Sequence, residues 1–274
     1  MAKLVRTVEG LAGWAVDGGI EPVGDPLAAL ESGGPAAGEA PLPDGLALPF
    51  DPPEVWCAGV TYERSRRARI EETQGVDVYS LVYEADRPEL FLKDAACRRT
   101  VGPGEPIGVR SGSIWTVPEP ELALVIGRGA RIVGATAGND VTSRDIEAVN
   151  PLYLPQAKIF ASACSLGPAV LTTDEWPDAF EIGCRILAGD GAVLWEAETS
   201  TALMRRTFDE LVSWLARDNP IAPGTVLLTG TGLVPPDDVA LVPGQVVEVF
   251  VSEIGTLVNP VLPAEDLLER REDV

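Results

Sequence analysis

The chain has 274 residues, of which 46% are apolar and 23% are charged, a balance typical of a globular fold. Acidic residues outnumber basic ones by 42 to 21, and the resulting net charge of −21 argues against a nucleic-acid partner. Because the sequence contains neither an 18-residue apolar run nor a signal-peptide pattern, we expect a soluble cytoplasmic protein without membrane contact.

The N-terminal segment differs in composition from the rest of the chain. Residues 1–50 are rich in Gly, Ala and Pro, and residues 3–8 form a strand candidate. We predict a small N-terminal domain and linker over residues 1–50, followed by the main domain over residues 51–274.

Short apolar runs separated by turn residues predict many strands in the main domain. A charged helix is expected over residues 63–74, and an amphipathic helix over 201–219 places Phe208, Leu211, Val212 and Leu215 on one side. This balance indicates a mostly β protein with some α-helix (α+β), built as a sandwich, roll or barrel, and we find no internal repeat. The predicted strands are VWCAGVTY (55–62), ELFLK (89–93), SIWTV (113–117), ELALVIG (121–127), ARIVGATAGND (130–140), GPAVLTT (167–173), FEIGCRILAG (180–189), AVLWEAET (192–199), TVLLTGTG (225–232) and QVVEVFVSEIG (245–255).

Two features of the composition limit the chemistry. The chain has no histidine, which excludes Ser-His-Asp and Cys-His catalysis and histidine-ligated zinc. Its four cysteines are widely spaced and follow neither a zinc nor a disulfide pattern, so we predict buried free thiols at Cys57, Cys97, Cys164 and Cys184.

Lysine is scarce in this arginine-rich chain, with Lys3, Lys93 and Lys158 as the only examples. Arginine stays protonated in proteins, whereas a desolvated lysine becomes a base near neutral pH. Lysines retained against the arginine bias are therefore candidates for proton transfer. The two internal lysines, Lys93 and Lys158, both qualify, and for Lys158 an ion pair with Asp140 or Asp145 is the structural alternative.

Three carboxylates are candidates for a metal site. Glu119 and Glu121 lie two residues apart, so in an extended segment both point to one face. A hairpin that turns near residues 128–129 brings Asp140 back to the same sheet edge. Converging carboxylates need a cation, and an all-oxygen site favours Mg²⁺, Mn²⁺ or Ca²⁺. A pair of glutamates at a solvated strand end is the alternative that this spacing alone leaves open.

A series of motifs occurs in a specific order along the chain. They are GVTYERS (59–65), RPELFLK (87–93), EPELALVIGR (119–128), GNDVTSRDIE (138–147), NPLYLPQAK (150–158), LGP (166–168) and LLTGTG (227–232). This order resembles the fumarylacetoacetate hydrolase superfamily along residues 54–262. The RPELFLK and RDIEAVNPLYLPQAK segments are similar to its 2-dehydro-3-deoxy-D-arabinonate dehydratase branch.

The resemblance implies a mixed β-sandwich roll with a small N-terminal domain, assembled as a homodimer or homotetramer. It also implies Mg²⁺ held by Glu119, Glu121 and Asp140, an active-site lysine at Lys158, and a substrate-carboxylate contact at Thr231. The implied partner is a small-molecule 2-oxo acid.

One departure from the family pattern bears on the reaction. Hydrolase members often carry a water-activating His three residues after the tyrosine of the first motif, where this chain has Ser65. We therefore expect a lyase that dehydrates 2-dehydro-3-deoxy-D-arabinonate to 2,5-dioxopentanoate, with Lys158 as base and Glu89 as acid. A C–C hydrolase or decarboxylase of acylpyruvate-type acids is the first alternative, and a non-catalytic binding protein is the second.

The remaining site predictions are less direct. Tyr62, Ser65 and Tyr153 are candidates for substrate binding, although aromatic residues more often belong to the core. Arg144 and Asp145 are interpreted as a structural pair that orients the metal loop. The role of Lys93 is left open between the site and the end of its strand.

Overall fold

The computed structural model describes residues 1–35, 40–72 and 78–271. Strands dominate this part of the chain, as the sequence predicts. The strands are β1 (Ala2–Arg6), β2 (Ala12–Val16), β3 (Gly19–Pro22), β4 (Glu54–Gly59), β5 (Glu89–Ala95), β6 (Thr100–Val101), β7 (Ile107–Val109), β8 (Thr116–Val117), β9 (Pro120–Ile126), β10 (Ile132–Asp140), β11 (Thr142–Ser143), β12 (Cys164–Thr172), β13 (Glu181–Leu187), β14 (Val193–Ser200), β15 (Thr225–Leu228), β16 (Val246–Val251) and β17 (Gly255–Pro263).

Short helices connect or cover the strands. The α-helices are α1 (Pro26–Ser32), α2 (Glu63–Glu72), α3 (Val78–Glu84), α4 (Arg144–Val149), α5 (Leu154–Lys158) and α6 (Phe208–Ala216). Turns of 3-10 helix occupy Arg128–Ala130, Pro151–Tyr153, Thr201–Leu203 and Ala264–Arg271. Within the described ranges, no helix is long and apolar enough to cross a membrane.

A ten-stranded sheet forms the centre of the molecule. Its order is β3-β2-β1-β12-β10-β9-β15-β4-β5, with β6 paired to β12. Every residue of β9 is buried, because the strand has neighbours on both edges and is covered on both faces. A strand buried on both faces is typically a continuous apolar run, which explains the segment LALVI over residues 122–126.

A second, five-stranded sheet packs against one face of the first. Its order is β14-β13-β16-β17-β7, and the alternating burial of β16 shows one face turned to the core. The shared core combines side chains of β9 with those of β13 and β16, including Leu122, Leu124, Ile182 and Val247. This two-sheet packing, with few helices, confirms the predicted mostly β sandwich-like fold.

The N-terminal region continues the large sheet. β1 pairs antiparallel with β12, with Leu4 opposite Val170. Leu4 and Leu30 of this region share a second core cluster with Val125, on the other face of β9. Described residues of the N-terminal region thus pack against that face of the sheet, and a domain boundary near residue 50 stays a prediction.

Several element boundaries differ from the sequence prediction. The strand predicted over 55–62 ends at Gly59, because Val60 has a positive φ of 52°. The SIWTV strand shrinks to β8, and TVLLTGTG is strand only over β15. The predicted helix over 201–219 is confirmed only as α6, whose N-cap is the side chain of Thr207. Residues 73 and 74 of the predicted charged helix lie outside the described residues.

Candidate active site

The β9–β10 hairpin places the three predicted metal ligands at one sheet edge. It turns through the 3-10 segment Arg128–Ala130, as predicted, with Gly129 at a φ of 68°. Asn139 pairs with Pro120, and the backbone N–H of Asp140 donates to the carbonyl of Glu119 at 2.9 Å. The prediction that the hairpin brings Asp140 back to the same sheet edge as Glu119 is confirmed.

The carboxylates of Glu119, Glu121 and Asp140 converge in the interior. One oxygen from each lies within 4.8 Å of the others, and each residue is at most 4% exposed. Burial raises the pKa of the Glu121 carboxyl well above its usual range, and the charges of Asp140 and Glu119 raise it further. Three hard oxygen donors that repel one another fit a divalent cation.

Lys158 reaches into this carboxylate group from the end of α5. Its Nζ donates to Glu119 Oε2 and to Asp140 Oδ2, both at 2.7 Å, and the side chain is 3% exposed. The amine is therefore beside the proposed metal ligands rather than in solvent. Both sequence hypotheses for Lys158, an ion-pair partner of Asp140 and a group within reach of the metal site, describe this one position.

Lys93 has a structural position that the sequence left open. Its fully buried Nζ lies 2.5 Å from Asp140 Oδ1 and donates to the carbonyl oxygens of Val141 at 2.9 Å and Lys158 at 2.5 Å. We refer to the carboxylates of Glu119, Glu121 and Asp140 as the metal group. Lys93 connects β5 to this group and to the backbone of Lys158. The scarcity of lysine was the only sequence signal for this role.

Arg144 takes a different partner from the one predicted. Its Nη2 lies 3.2 Å from Glu119 Oε1, and the residue is 1% exposed. Asp145 instead accepts hydrogen bonds from the Ser113 hydroxyl at 2.6 Å and the Ile114 N–H at 2.9 Å. The predicted Arg144–Asp145 pair is therefore wrong, because α4 directs the arginine inward and the aspartate towards the 113–114 turn.

The TGTG turn that follows β15 holds the third carboxylate. The N–H of Gly230 donates to Glu121 Oε2 at 2.6 Å. Gly230 has a φ of 95°, and a Cβ there would lie 2.1 Å from Thr61 Oγ1. Only glycine fits this approach without displacement, so the motif has a backbone role in addition to the one predicted for Thr231.

The metal group, Lys158 and three further predicted residues line one narrow cavity. Those three are Ser65, Glu89 and Thr231. The Ser65 hydroxyl donates to the backbone carbonyl of Thr231, and the Thr231 hydroxyl accepts from the Leu233 N–H at 3.1 Å. The cavity is also lined by Phe91 and Glu147, which the sequence analysis did not select as site residues.

The two predicted substrate-binding tyrosines are not among the described cavity-lining residues. Tyr62 is 1% exposed and packs against Gly232, where a Cβ would lie 2.8 Å from its ring. Burial raises the pKa of its phenol, and the charge of Glu121 adds to the effect. Tyr153 ends the Pro151–Tyr153 turn and is 42% exposed. Their roles in substrate binding stay predictions.

None of the four cysteines is among the described residues that line the cavity. All four cysteines, Cys57, Cys97, Cys164 and Cys184, are buried thiols that form no disulfide, as predicted. Burial raises the pKa of the Cys57, Cys164 and Cys184 thiols, which opposes thiolate chemistry.

Comparison with known proteins agrees with this geometry. The family model described as fumarylacetoacetate (FAA) hydrolase C-terminal matches residues 54–262, the range over which the motifs occur. The chain belongs to the fumarylacetoacetate hydrolase family. The match includes all three carboxylates and Lys158, so the candidate site lies wholly within the family domain.

Two relatives and one solved structure indicate the branch of the family. The chain is 46% identical over 221 residues to 2-dehydro-3-deoxy-D-arabinonate dehydratase of Saccharolobus solfataricus, covering 79% of this chain and 74% of the relative. It is 49% identical over 215 residues to a probable 2-keto-3-deoxyxylonate dehydratase of Haloferax volcanii, covering 78% and 74%. The solved structure is 2-keto-3-deoxy-D-arabinonate dehydratase complexed with magnesium and 2,5-dioxopentanoate, with 37% identity, a TM-score of 0.82 and coverage of 96% and 98%.

Proposed function

We propose that this protein is a metal-dependent hydro-lyase that dehydrates 2-dehydro-3-deoxy-D-arabinonate to 2,5-dioxopentanoate. The observation that carries the proposal is the position of Lys158 Nζ, 2.7 Å from both Glu119 Oε2 and Asp140 Oδ2 in a buried cavity. The relatives with dehydratase names and the solved complex with magnesium and 2,5-dioxopentanoate support the choice of reaction.

The metal ligands in this proposal are Glu119, Glu121 and Asp140, with Mg²⁺ as the cation and Mn²⁺ or Ca²⁺ as substitutes. Their buried, mutually repelling oxygens suit a hard divalent ion. Bound there, such an ion would polarise the 2-oxo group as a Lewis acid and favour the neutral form of Lys158 by charge repulsion.

Lys158 is the proposed base. Its Nζ takes a proton from C3 of the substrate, the carbon next to the 2-oxo group. Hydrogen bonds to Glu119 and Asp140 fix the amine. The Lys93 ammonium donates a hydrogen bond to the backbone carbonyl of Lys158. An arginine at this position could not accept the proton, since guanidinium does not deprotonate in proteins.

Glu89 is the proposed acid. It begins β5, lines the cavity and lies tightly against Gly59, where a Cβ would be 2.1 Å from Glu89 Oε2. Its carboxylic acid gives a proton to the C4 hydroxyl, which leaves as water. Loss of one proton from C3 and of hydroxide from C4 balances as one water, and tautomerisation then yields the aldehyde product.

Thr231 is the proposed contact for the substrate carboxylate. It lies in the cavity wall at the turn that also supplies the Gly230 N–H to Glu121. Ser65 supports this turn through its bond to the Thr231 carbonyl.

The geometry disfavours the hydrolase alternative. Hydrolysis needs a base that activates water. Ser65 occupies the family's histidine position, and its hydroxyl donates a hydrogen bond to the Thr231 carbonyl. No imidazole exists in the chain to replace it. The non-catalytic alternative is disfavoured because the carboxylates and Lys158 are all retained and converge.

We further propose a homodimer or homotetramer in the cytoplasm. Val193 and Leu194 at the start of the outer strand β14 are each 53% exposed, and Phe250 of β16 is 45% exposed, which supports an apolar contact between copies. Four cysteines that form no disulfide suit a reducing compartment. Sedimentation analysis tests the assembly, and a monomer at micromolar concentration would contradict it.

A product screen tests the proposed reaction. The Mg²⁺-loaded protein is incubated with 2-dehydro-3-deoxy-D-arabinonate and, separately, with acylpyruvates, and products are read by NMR. We expect loss of the sugar acid with appearance of an aldehyde proton, abolished by a chelator and restored by Mg²⁺. Cleavage of acylpyruvates with an unchanged sugar acid would identify the hydrolase alternative instead.

A further inference from the structure

One oxygen of each carboxylate in the metal group lies against a donor of the protein. Asp140 Oδ1 lies 2.5 Å from the Nζ of Lys93, and Glu119 Oε1 lies 3.2 Å from the Nη2 of Arg144. Glu121 Oε2 accepts a hydrogen bond at 2.6 Å from a backbone N–H of the TGTG turn. Three separate elements, β5, α4 and the turn after β15, thus hold one oxygen each.

Two of these donors are buried cations with fixed positions. The ammonium of Lys93 also contacts the carbonyl oxygens of Val141 and Lys158, which holds it away from any other orientation. Arg144 is buried at the start of α4. Neither residue acts as acid, base or metal ligand in the proposed reaction. Charge-assisted contacts of this kind are strong and directional, so each cation fixes the rotation of its carboxylate.

The opposite oxygens of two of the carboxylates lie on the side of the proposed base. Lys158 Nζ is 2.7 Å from Glu119 Oε2 and 2.7 Å from Asp140 Oδ2. One ligand atom from each carboxylate of the metal group lies within 4.8 Å of the others. A carboxylate that bound an ion with both oxygens would have to turn its outer oxygen away from its protein donor. The donors therefore favour binding through one oxygen of each residue.

The number of oxygens that a carboxylate offers separates two common divalent cations. Mg²⁺ demands a compact, near-octahedral set of ligands at about 2.0–2.1 Å. Ca²⁺ takes a larger and more flexible set at about 2.3–2.6 Å, and it often binds both oxygens of one carboxylate. Carboxylates restricted to one oxygen each therefore suit Mg²⁺ better than Ca²⁺.

We infer that Lys93 and Arg144 are positioning residues that restrict Asp140 and Glu119 to one oxygen each and thereby select Mg²⁺ over Ca²⁺. The inference rests on the proposed function, because it takes these carboxylates as metal ligands. It goes further by assigning the choice of ion to two residues outside the ligand set. Groups that contact the ligands of a metal, rather than the metal, commonly orient those ligands and tune its affinity.

Calorimetric titration of the metal-free protein with Mg²⁺ and, separately, with Ca²⁺ tests the inference. We expect the wild type to bind Mg²⁺ more tightly than Ca²⁺. In Lys93→Met and in Arg144→Met, the ratio of Ca²⁺ affinity to Mg²⁺ affinity should rise by at least about threefold. A wild type that binds Ca²⁺ more tightly, or an unchanged ratio in both variants, would overturn the inference. A ratio that rises in one variant alone would assign the selection to that residue.

The affinity ratio responds to positioning and not to the other effects of these substitutions. Removing a protein cation raises the affinity for both ions nearly equally, because both carry two charges. A general loss of stability also acts on both titrations alike. Lys3→Met on β1 and Arg131→Met at an exposed position make the same chemical changes away from the site and should keep the wild-type ratio. If Lys93→Met does not fold, the wild type and Arg144→Met still decide the outcome.

Failure of this inference is distinguishable from failure of the proposed function. Mg²⁺-dependent turnover of the sugar acid, together with an unchanged ratio in both variants, contradicts the inference alone. Absence of binding of either ion to the wild type contradicts the proposed function, and the inference falls with it.

Discussion

The Nζ of Lys158 and the Oδ2 of Asp140 are 2.7 Å apart in the buried cavity, although 18 residues separate them along the chain. The contact joins the end of α5 to the end of β10, and Lys93 holds both residues, at Asp140 Oδ1 and at the Lys158 carbonyl. The proposed base is therefore fixed by the same carboxylate that is expected to hold the metal. This coupling underlies the predictions that follow.

Replacing Lys158 by arginine separates its charge from its basicity. Lys158→Arg keeps a cation near Glu119 and Asp140 but cannot accept the C3 proton, so we expect turnover to fall by at least about 100-fold. Steady-state assays measure the loss, with Lys3→Arg on β1 as the control. Turnover within a few-fold of the wild type would show that the residue acts only as an ion-pair partner.

Glu121→Gln tests the electrostatic repulsion among the carboxylates of Glu119, Glu121 and Asp140 in the metal-free protein. The pKa of the Glu121 carboxyl is raised in the folded state, so folding favours the protonated carboxyl. The stability that this protonation contributes is lost as pH rises through the folded-state pKa. We expect the metal-free variant to lose less stability with rising pH than the wild type, and to melt about 2 °C or more higher at pH 8. The variant should also lose most of the stabilisation by Mg²⁺.

Thermal unfolding with and without Mg²⁺ measures both effects of the Glu121 substitution. Glu175→Gln, with the same change in net charge at an exposed site, should follow the wild type. A variant that gains as much stability from Mg²⁺ as the wild type would remove Glu121 from the ligand set.

Gly230→Ala tests the turn that holds Glu121. The added Cβ would lie 2.1 Å from Thr61 Oγ1, and the positive φ of 95° adds strain. Gly191→Ala is a matched control, because Gly191 has a φ of 87° and open space around its Cβ position. We expect the control to cost about 1 kcal/mol of unfolding free energy and Gly230→Ala clearly more, with weaker Mg²⁺ binding. Equal costs in urea unfolding would contradict the close approach.

Lys93→Met tests the buried support behind the site. The substitution leaves the Asp140 charge and two carbonyl oxygens without the Lys93 ammonium, so we expect a loss of about 3–5 kcal/mol in unfolding free energy. Urea denaturation measures it, with Lys3→Met as the control. A loss below about 1 kcal/mol would show that Lys93 is dispensable for the fold.

Local pattern was enough to predict part of this site. The two-residue spacing of Glu119 and Glu121 and the length of the hairpin to Asp140 follow from strand geometry, and the structure agrees with both. The order of the motifs predicted Lys158 as the active-site lysine, since no local rule links α5 to the hairpin.

The contacts that the sequence did not reveal join residues far apart in the chain. Lys93 meets Val141 across 48 residues, and Gly230 meets Glu121 across 109. Such pairs depend on how strands are ordered in the sheet, which side-chain periodicity does not specify. Arg144 was given the wrong partner for a related reason: the direction of α4 relative to β9, rather than sequence adjacency, decides its contact with Glu119.

The most direct test of the central claim is metal-dependent exchange of the C3 protons of 2-oxopentanoate in D₂O, followed by NMR. This acid has no C4 hydroxyl to lose, so exchange reports only proton removal beside the 2-oxo group. We predict rapid exchange with Mg²⁺-loaded wild type and exchange at the uncatalysed rate with Lys158→Arg or with metal-free protein. Equal exchange by wild type and Lys158→Arg would contradict the assignment of Lys158 as the base beside the metal site.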